Sequence, residues 1–471
     1  MDRFDLPVMK RILAVFFATC LGLPAAQAQV EVPSWTYQNA LPDSRGGRYD
    51  DIKFPTLNEG WVVSTVGEIW HTADAGVSWA QQVNKVGSAF RSIAFQKELS
   101  SRGQLVGWAG TVFSPGSVLW ETRDSGEHWV DITHRIEGIV PAGVCGMYSV
   151  KNSTWGVGAF NGSPTMIKTT DGGIHWIGRD LSDVAGALID VYFQDEMTGF
   201  AVGGSGSSLD GNAIVLRTTD GGNSWQKVFQ STRKSGIQGE WGWKISFPSK
   251  LVGYVSVEYR ANPNEHDAKV LKTVDGGLTW NEIAVKGSKT NLGLQGLGFV
   301  SENLGWASGR GVTSVTADGG TTWQQLPAFS TTSGEGQLDG SMNRFIVIND
   351  TLSYGVGRRL YRLSGYGAQT VANENYEVPH QFDLESSYPN PFSESTTLRF
   401  TLEKTLPVRL SVIDMIGRKH RNFPEASLNS GTHEIVWDGR NDAGQKLPPG
   451  SYILLVDIGT SMEMKQVVLL R

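Results

Sequence analysis

Short apolar runs separated by glycine-rich polar turns follow one another along most of the chain. A recurring version is an apolar-x-Phe run with Gly and an aromatic residue six positions later, as in Ile52-Lys53-Phe54 with Gly60-Trp61. Short runs with alternating apolar positions predict β-strands. The other six copies, some of them looser, contain Phe95, Tyr148, Phe193, Phe247, Phe299 and Val347.

A second phrase, Thr-x-Asp-x-Gly-x-x-Trp, follows six of these runs, and we call the loop that contains it the Asp turn. Its tryptophans are 50, 47, 49, 55 and 43 residues apart. One unit therefore consists of strand, turn, strand, loop, strand, Asp turn and strand, which is typical of a propeller blade. The six copies contain Asp74, Asp124, Asp171, Asp220, Asp275 and Asp318, with Trp79, Trp129, Trp176, Trp225, Trp280 and Trp323.

The inner-strand pattern occurs seven times and the Asp phrase six times. Ser34-Trp35-Thr36 resembles Ser78-Trp79-Ala80, so we expect the N-terminal segment to supply the fourth strand of the last blade. Such pairing covers strand edges that are otherwise a liability. The sequence thus predicts an all-β protein: a seven-bladed β-propeller over residues 29–365, closed by Trp35, followed by a small C-terminal immunoglobulin-like β-sandwich. The 57 glycines and 16 tryptophans agree with a turn-rich β fold.

The chemistry of the Asp turn favours a structural role. A short carboxylate can accept backbone N–H groups within its own turn, and glycine supplies the positive φ that reverses the chain. Calcium needs six or more oxygens, several of them anionic, whereas each copy offers one acid at a regular place. We therefore assign the six Asp and six Trp residues to the scaffold and expect no metal and no cofactor. His71, His128 and His175, beside these turns, are interpreted as strand-surface residues.

These phrases resemble the Asp-box (bacterial neuraminidase, BNR) repeat shared by sialidases, some other glycoside hydrolases and sortilin-type receptors. The even spacing and the Gly-Trp strand before each box most resemble the photosystem II stability/assembly-factor-like propellers. The resemblance implies the propeller fold and an assembly role. A function as chaperone of a photosystem subunit is kept as a family label only, because the export signals described next would place the protein elsewhere.

The N-terminus predicts export. Met9-Lys10-Arg11 is basic, Ile12 to Leu23 is apolar, and Ala26-Gln27-Ala28 is a small-x-small cleavage site, which together predict a signal peptide over residues 1–28. Its removal leaves Cys145 without a partner for a disulfide, so we interpret Cys145 as a buried small apolar residue. The net charge of -6 argues against a nucleic-acid partner, and no stretch is long and apolar enough for a transmembrane segment.

The C-terminal end has its own motifs. After a predicted linker at 366–384, residues 385–471 carry Tyr388-Pro389-Asn390-Pro391-Phe392, Gly417-Arg418, Gly450-Ser451-Tyr452 and an ending that starts at Lys465. They resemble the C-terminal sorting domain of the type IX (Por) secretion system, and their second half also resembles the FlgD immunoglobulin-like module. The resemblance implies the type IX machinery as a partner and a cell-surface or extracellular location. The alternative is an accessory sandwich that stays attached.

Because the Asp turns occupy one face, we expect ligands at the opposite face. Its predicted loops and connections are residues 109–117, 160–165, 203–212, 258–267, 43–50, 134–145, 231–243 and 331–341. Arginine and exposed aromatic residues favour binding surfaces, although Trp241 or Trp243 would serve equally well as a plug of the propeller interior. The candidate ligand residues are Arg48, Tyr49, Trp241, Trp243, Tyr259, Arg260 and His266.

Two functions follow from these observations. The first is a non-catalytic binding or assembly propeller with an unknown protein or glycan ligand, since no compact catalytic signature stands out. The alternative is a sialidase-like or glucanase-like glycoside hydrolase that uses two loop carboxylates. The Arg-Ile-Pro motif of sialidases does not occur in the sequence. The candidate carboxylates are Asp50, Asp51, Asp210, Glu240, Glu258 and Asp267.

Overall fold

A computed structural model describes most of the chain from residue 33 to residue 470. The described ranges are 33–44, 46–96, 103–114, 116–158, 162–206, 210–262, 266–328, 338–349, 352–364, 382–384, 387–402, 405–414, 419–424, 426–457 and 462–470. The predicted signal peptide, most of the predicted linker and the Gly417-Arg418 turn lie outside them. None of the helices within these ranges has the length and apolar character to cross a membrane.

Seven sheets form the blades, each with four antiparallel strands in order from inside to outside, and the sheet of blade 3 has a fifth strand described below. Their bounds are Tyr49–Lys53, Gly60–Ser64, Glu68–Thr72 and Ala80–Asn84 (blade 1); Ala89–Phe95, Gly107–Val112, Leu119–Thr122 and Val130–Asp131 (blade 2); Gly146–Val150, Ser153–Gly158, Thr165–Thr169 and Trp176–Asp180 (blade 3); Ala187–Phe193, Gly199–Gly204, Ala213–Thr218 and Gln226–Gln230 (blade 4); Gln238–Ser246, Gly253–Arg260, Asp267–Thr273 and Asn281–Lys289 (blade 5); Leu294–Phe299, Gly305–Gly309, Val312–Thr316 and Gln324–Gln325 (blade 6); Arg344–Asn349, Leu352–Val356, Leu360–Ser364 and Trp35–Gln38 (blade 7).

The blades form a closed ring. Each inner strand contacts the inner strand of the next blade, and the inner strand of blade 7 contacts that of blade 1. The predicted seven-bladed propeller is therefore confirmed. Each inner strand ends at a hairpin, and the chain reverses direction again after the second and third strands. The Asp turn between the third and fourth strands therefore lies on the same face as that hairpin, and the blade-to-blade connections lie on the other face.

The Gly-aromatic pattern explains how neighbouring blades pack. A methyl group at Gly60 would lie 2.5 Å from the ring of Phe54 in the same blade, so glycine makes room for that phenylalanine. The aromatic residue after such a glycine then contacts the next blade, as Tyr254 after Gly253 does on Phe299 at 3.6 Å between ring centroids. At the closing interface Tyr354 of blade 7 stacks on Phe54 of blade 1 at 4.9 Å. Rings therefore pack together at the joint that closes the propeller.

The tryptophans of the Asp turns pack against these same phenylalanines from the side. Trp225 meets Phe193 edge-on at 6.0 Å, and Trp323 meets Phe299 at 6.4 Å. In blade 3 the register places Ser149 at the phenylalanine position, and not Tyr148 as the sequence pattern predicted. Trp176 of this blade instead contacts Trp108 of blade 2 at 5.6 Å. Three of the six tryptophans are buried and three are half-buried: Trp176, Trp225 and Trp280, then Trp79, Trp129 and Trp323.

The N-terminal strand closes the ring as predicted. Trp35–Gln38 pairs antiparallel with the third strand of blade 7, with Trp35 opposite Leu363 and Gln38 opposite Leu360. The Trp35 ring is 5% exposed and lies 5.2 Å from Trp306 and 5.4 Å from Phe345. The closing strand is thus held by apolar packing as well as by its backbone ladder.

One predicted connection contains structure that the sequence did not indicate. Within residues 134–145, expected to be a ligand-face connection, Ile136–Gly138 forms a fifth strand parallel to the outer strand Trp176–Asp180 of blade 3. A 3-10 turn at Thr133–Arg135 precedes it. Part of the outer edge of blade 3 is therefore covered by the preceding segment of the chain.

The C-terminal residues form a second β unit. One sheet contains Phe382–Leu384, Thr396–Leu402 and Gly431–Trp437; the other contains Lys419–Asn422, Leu406–Asp414, Gly450–Asp457 and Met462–Leu469, with Ala426–Leu428 paired to Leu406–Asp414. Both sheets contribute to one buried cluster, for example Phe400 from the first and Val412 from the second. The unit is a β-sandwich, and its immunoglobulin-like character stays a prediction. Because Phe382–Leu384 already pairs with Thr396–Leu402, the sandwich includes residues that the sequence had placed in the linker.

The Tyr-Pro-Asn-Pro-Phe motif covers the edge of the last strand. Phe392 is buried, its N–H donates to the Val468 carbonyl at 2.9 Å, and its own carbonyl accepts from Leu470 at 2.7 Å. The Asn390 side chain accepts from the Val468 N–H at 2.8 Å. A motif singled out as a signature therefore also has a structural role.

Candidate functional site

The Asp turns share one hydrogen-bond network, seen clearly in blade 4. Thr218 Oγ1 donates to Asp220 Oδ1 at 2.8 Å, and the Ser224 N–H and hydroxyl donate to the two carboxylate oxygens at 2.9 and 2.6 Å. The Gly222 N–H donates to Thr218 Oγ1 at 2.9 Å. Desolvation acts to raise the pKa of Asp220, but the bonds from Ser224 and Thr218 outweigh it and lower that pKa to about 2. The carboxylate is thus an ionised acceptor for its own turn.

The same bonds recur at Asp74, Asp124, Asp171, Asp275 and Asp318. In blades 2 and 3 a histidine takes the place of the serine, and Nδ1 of His128 and His175 lies 2.7 Å from the turn carboxylate. The interpretation of these two histidines as plain strand-surface residues is therefore corrected: they are part of the turn. His71 lies on a strand and stacks on Trp61 at 4.2 Å.

One Asp turn also brings together possible metal ligands. Asp124, Glu127 and His128 each offer one ligand atom, and these atoms lie within 4.8 Å of one another. The Asp124 carboxylate already accepts from Thr122 and His128, and Glu127 and His128 are exposed. Asp124 makes the same kinds of hydrogen bond as the aspartates of Asp turns that lack a Glu and His pair. The structure of the turn is therefore enough to explain why these three side chains lie together.

Charged side chains fill the central channel of the propeller, where the inner strands begin. Blades 1, 2, 4, 5 and 7 each contribute at least one buried charge from a strand that is otherwise apolar. These residues are Asp50, Asp51, Arg91, Asp190, Lys244 and Arg344, all less than 9% exposed. Burial of this many charges requires pairing, since an unpaired ion in the interior is very costly.

Arg344, Asp190 and Asp51 form one part of this network. Both guanidinium Nη atoms donate to the Asp190 carboxylate at 2.9 Å, and Nε donates to Asp51 at 3.0 Å. The Asp190 carboxylate also accepts from the Ile245 N–H, and Asp51 accepts from the Ile93 N–H, each at 3.1 Å. Desolvation would raise the pKa of Asp190, but the charges of Arg344 and Lys244 hold it below its usual value.

Asp50 is the centre of the other part of the network. It accepts from Arg48 Nε and from Arg91 Nη1, the latter at 3.0 Å, and Asn343 Nδ2 donates to its Oδ1 at 3.0 Å. The Arg91 guanidinium lies 4.9 Å from the ring centroid of Trp243. Arg48, which is 21% exposed, therefore forms the outer end of a chain of contacts that leads into the channel.

Two groups of the channel have strongly shifted pKa values. Lys244 is fully buried, its Nζ has no hydrogen-bond partner among the described residues, and desolvation lowers its pKa to about 8. Glu258 is half-buried and accepts from Gln295 at 3.0 Å, and desolvation raises its pKa to about 7 despite the nearby arginines. Arg48 Nη1 donates to the same Gln295 at 2.7 Å. Cys145, beside the channel, is buried, and desolvation raises its pKa to about 11, as expected for an unreactive thiol.

The structure separates the predicted ligand residues into two groups. Tyr49 and Tyr259 are fully buried, so they belong to the scaffold and not to an accessible face; Tyr49 donates to the Pro42 carbonyl at 2.6 Å. Trp243 is buried in the channel and donates to Asn343 at 3.3 Å, as a plug would. Arg48, Trp241 and His266 are partly accessible, and Arg260 is exposed. Of the seven, Arg48 and Trp243 meet through Asp50 and Arg91.

Of the six candidate catalytic carboxylates, Asp50 and Glu258 are linked through Arg48 and Gln295. Glu240 is buried and pairs with Lys269 at 2.7 Å, and Asp267 accepts from the Gly287 N–H at 3.2 Å. Asp210 is exposed, and Asp50 and Asp51 are held by arginines. Glu258 has the raised pKa that a general acid needs, and its described hydrogen bond goes to the Gln295 amide.

Two cavities lie on the Asp-turn side, opposite the predicted ligand face. The first is an open funnel at the end of the channel, lined among others by Lys53, Tyr148, Tyr192 and Arg344. The second is an open cleft between blades 3 and 4, lined by Lys168, Ile177 and Arg179. Space for a ligand therefore exists on the face of the Asp turns as well.

Comparison with known proteins supports the fold. No family model matches the chain, and no curated protein sequence matches it. Among solved structures, YCF48 bound to a D1 peptide aligns with a TM-score of 0.50 at 16% identity, over 71% of this chain and 99% of YCF48. The GH74 xyloglucanase from Xanthomonas campestris aligns with a TM-score of 0.50 at 10% identity, over 92% of this chain and 75% of the enzyme. At these identities the likeness shows a shared β-propeller fold and no shared activity.

Proposed function

We propose that this chain is an exported, non-catalytic β-propeller that acts as a binding or assembly module at the cell surface or outside the cell. Its C-terminal sandwich is proposed to be a type IX secretion sorting domain, with the secretion machinery as its partner. The signal-peptide pattern and the C-terminal motifs support this route. The propeller supplies a rigid ring of loops, the usual setting for a ligand site.

The observation that carries the non-catalytic proposal is the pairing of the channel carboxylates. Asp50, Asp51 and Asp190 each bind an arginine, and the pKa values of Asp50 and Asp190 are lowered. The charges of Arg48 and Arg91 outweigh the desolvation of Asp50. A glycosidase acid needs a raised pKa and a second carboxylate at a set distance. A structural ion network explains these aspartates better than an acid-base pair does.

The ligand of the proposed module is a polypeptide or a glycan. The solved structure of YCF48 contains a bound D1 peptide, which supports a polypeptide for a propeller of this fold. On the face opposite the Asp turns, Arg48, Trp241, Arg260 and His266 are the accessible candidates for contact. Chaperoning of a photosystem subunit is not proposed.

A glycoside hydrolase remains the second candidate because Glu258, with a pKa of about 7, has the protonation behaviour of a general acid. The GH74 likeness adds the fold and nothing more. The purified full chain would be assayed against sialosides, xyloglucan and other glucans. Turnover that is lost in Glu258→Gln but kept in Asp267→Asn would replace the binding proposal with an enzyme.

Export and binding are tested separately. Cell fractionation with mass spectrometry of the mature termini is expected to find the protein outside the inner membrane, with residues 1–28 removed and the C-terminal sandwich cleaved. Recovery from the cytoplasm with both ends intact would contradict the export proposal. Peptide and glycan arrays probed with the full chain are expected to give ligands whose binding weakens in Arg260→Ala; no ligand on either array would contradict the binding proposal.

A further inference from the structure

The cleft between blades 3 and 4 combines cationic and apolar side chains. It lies on the Asp-turn side, away from the predicted ligand face. Its walls include Met166, Lys168, Asp171, His175, Ile177 and Arg179. Ile177 is 50% exposed, and Arg179 is exposed as well. An accessible isoleucine beside two cations distinguishes this cleft from the channel, whose charged side chains are buried.

Lys168 is the unusual member of the cleft, as a comparison with blade 5 shows. Lys168 and Lys272 each precede the Thr of the Asp phrase in their own blade. Lys272 Nζ donates to the Gly319 carbonyl of the next blade at 2.7 Å. At the corresponding interface of blade 3, Trp155 Nε1 donates to the Gly221 carbonyl at 2.9 Å, and Lys168 makes no hydrogen bond or ion pair with any described residue. Its Nζ lies over the Trp155 ring, 5.9 Å from the ring centroid.

The electrostatics of the cleft favour an incoming anion. Desolvation and, next, the charge of Arg179 lower the pKa of Lys168, and the charge of the Asp220 carboxylate of blade 4 acts in the opposite direction. Asp220 is occupied by Thr218 and Ser224 of its own turn, so the two cations still repel each other across the same space. Arg179 Nη1 is anchored by the Asn223 carbonyl at 2.9 Å, which holds its guanidinium in place. Asp171 is occupied by Thr169 and His175 of its own turn. A carboxylate between Lys168 and Arg179 would relieve their repulsion and bond to both.

We infer that this cleft binds an acidic side chain of an extended polypeptide, with the carboxylate between Lys168 and Arg179 and a neighbouring apolar side chain on Ile177. The aliphatic wall favours a polypeptide over a glycan, because sugar rings are best matched by exposed aromatic faces. The inference rests on the proposed binding function and names a second contact surface for it.

The probes are two fluorescein-labelled octapeptides, one of alternating glutamate and leucine and one of alternating glutamine and leucine. Fluorescence anisotropy with the full chain is expected to show saturable binding of the first and at least about tenfold weaker binding of the second. Lys168→Met keeps the apolar stem of the side chain, and Arg179→Gln lies at an exposed site. Each is expected to weaken the acidic peptide at least about tenfold, while Lys272→Met, whose ammonium is held by Gly319, leaves it unchanged.

The outcomes separate this inference from the proposed function. Binding of the acidic peptide that is unaffected by Lys168→Met and Arg179→Gln overturns the cleft but leaves a binding module in place. Lack of binding at millimolar peptide overturns the cleft, and if the arrays are also silent the binding function fails with it. Polygalacturonate is the third probe: binding of this glycan that needs Lys168, without binding of the peptide, overturns the choice of a polypeptide. A melting temperature for each variant shows that it is folded.

Discussion

Arg344 of blade 7 and Asp190 of blade 4 form a doubly hydrogen-bonded ion pair, with both Nη atoms 2.9 Å from the carboxylate oxygens. The two residues are 154 positions apart in the sequence, and blades 5 and 6 separate them around the ring. The pair therefore spans the channel and ties together blades that do not touch through their sheets. Its bond to Asp51 adds blade 1 to the same junction.

Arg344→Met is expected to destabilise the propeller by about 3–5 kcal/mol, because it leaves Asp190 and Asp51 buried without their cation. Urea unfolding followed by tryptophan fluorescence measures this loss. The control is Lys151→Met, which removes an exposed pair with Glu196 at 3.1 Å and should cost about 1 kcal/mol or less. Equal effects of the two variants would show that the channel network adds nothing beyond a surface pair.

Asp220→Ala is expected to cost about 1–2 kcal/mol at pH 7, because the Asp turn loses charge-assisted bonds from Thr218 and Ser224. The folded pKa of about 2 lies below the ordinary value of 3.8, so this stabilisation is present above pH 4 and is lost as the pH falls toward 2. The difference in unfolding free energy between wild type and variant should shrink on that path. Asp183→Ala, at an exposed position, is the control and should show little difference at either pH.

The variant Glu258→Gln tests the raised pKa of the Glu258 carboxyl group in the channel. A carboxyl group whose folded pKa is about 7 instead of 4.5 stabilises the fold below pH 4.5, and that contribution is lost as the pH rises through 7. The glutamine variant should therefore gain stability relative to wild type between pH 5 and pH 8, by on the order of 1–2 kcal/mol after screening. Unfolding free energies at several pH values measure the trend. A relative loss over that range would mean that Arg48 keeps Glu258 ionised.

Trp35→Ala tests the closing strand. The indole is 5% exposed between Trp306 and Phe345, so its removal should cost about 3–5 kcal/mol. Urea unfolding gives the magnitude, and faster limited proteolysis would report opening of blade 7. Trp323→Ala, at a half-buried site of blade 6, should cost clearly less. If both cost the same, the closing strand would be no more important than an ordinary outer strand.

The repeat predicted the ring because its signal is local. The inner phenylalanine with its following glycine and the Asp phrase each lie within a single blade. The number of inner-strand patterns therefore predicts seven blades, and the missing seventh Asp phrase points to the closing strand at Trp35. The fifth strand of blade 3 escaped because Ile136–Gly138 is three residues long and pairs in parallel with a later strand. A run of three residues contains no pattern that distinguishes a strand from a loop.

The channel network had a signal that sequence reasoning missed. Asp51, Asp190, Lys244 and Arg344 each lie three positions before the inner-strand position occupied by Phe54, Phe193, Phe247 and Val347, so a charge recurs where an apolar strand residue is expected. That pattern could have marked the channel. Which charge pairs with which could not be read from the sequence, because Arg344 meets Asp190 only through the curvature of the ring. The sequence also predicted Tyr49 and Tyr259 on the ligand face, whereas both are buried. The position of a residue in a predicted loop does not determine how far its side chain is buried.

The geometry of the closing strand decides how the ring responds to force. Because Trp35 lies opposite Leu363 and the two strands run antiparallel, the chain enters and leaves the propeller at the same end of a four-residue ladder. Tension applied between these two points would peel the ladder apart one residue pair at a time, instead of shearing all its hydrogen bonds together. Mechanical load would therefore open the propeller at blade 7 first, and the other six blades would follow as a linear stack.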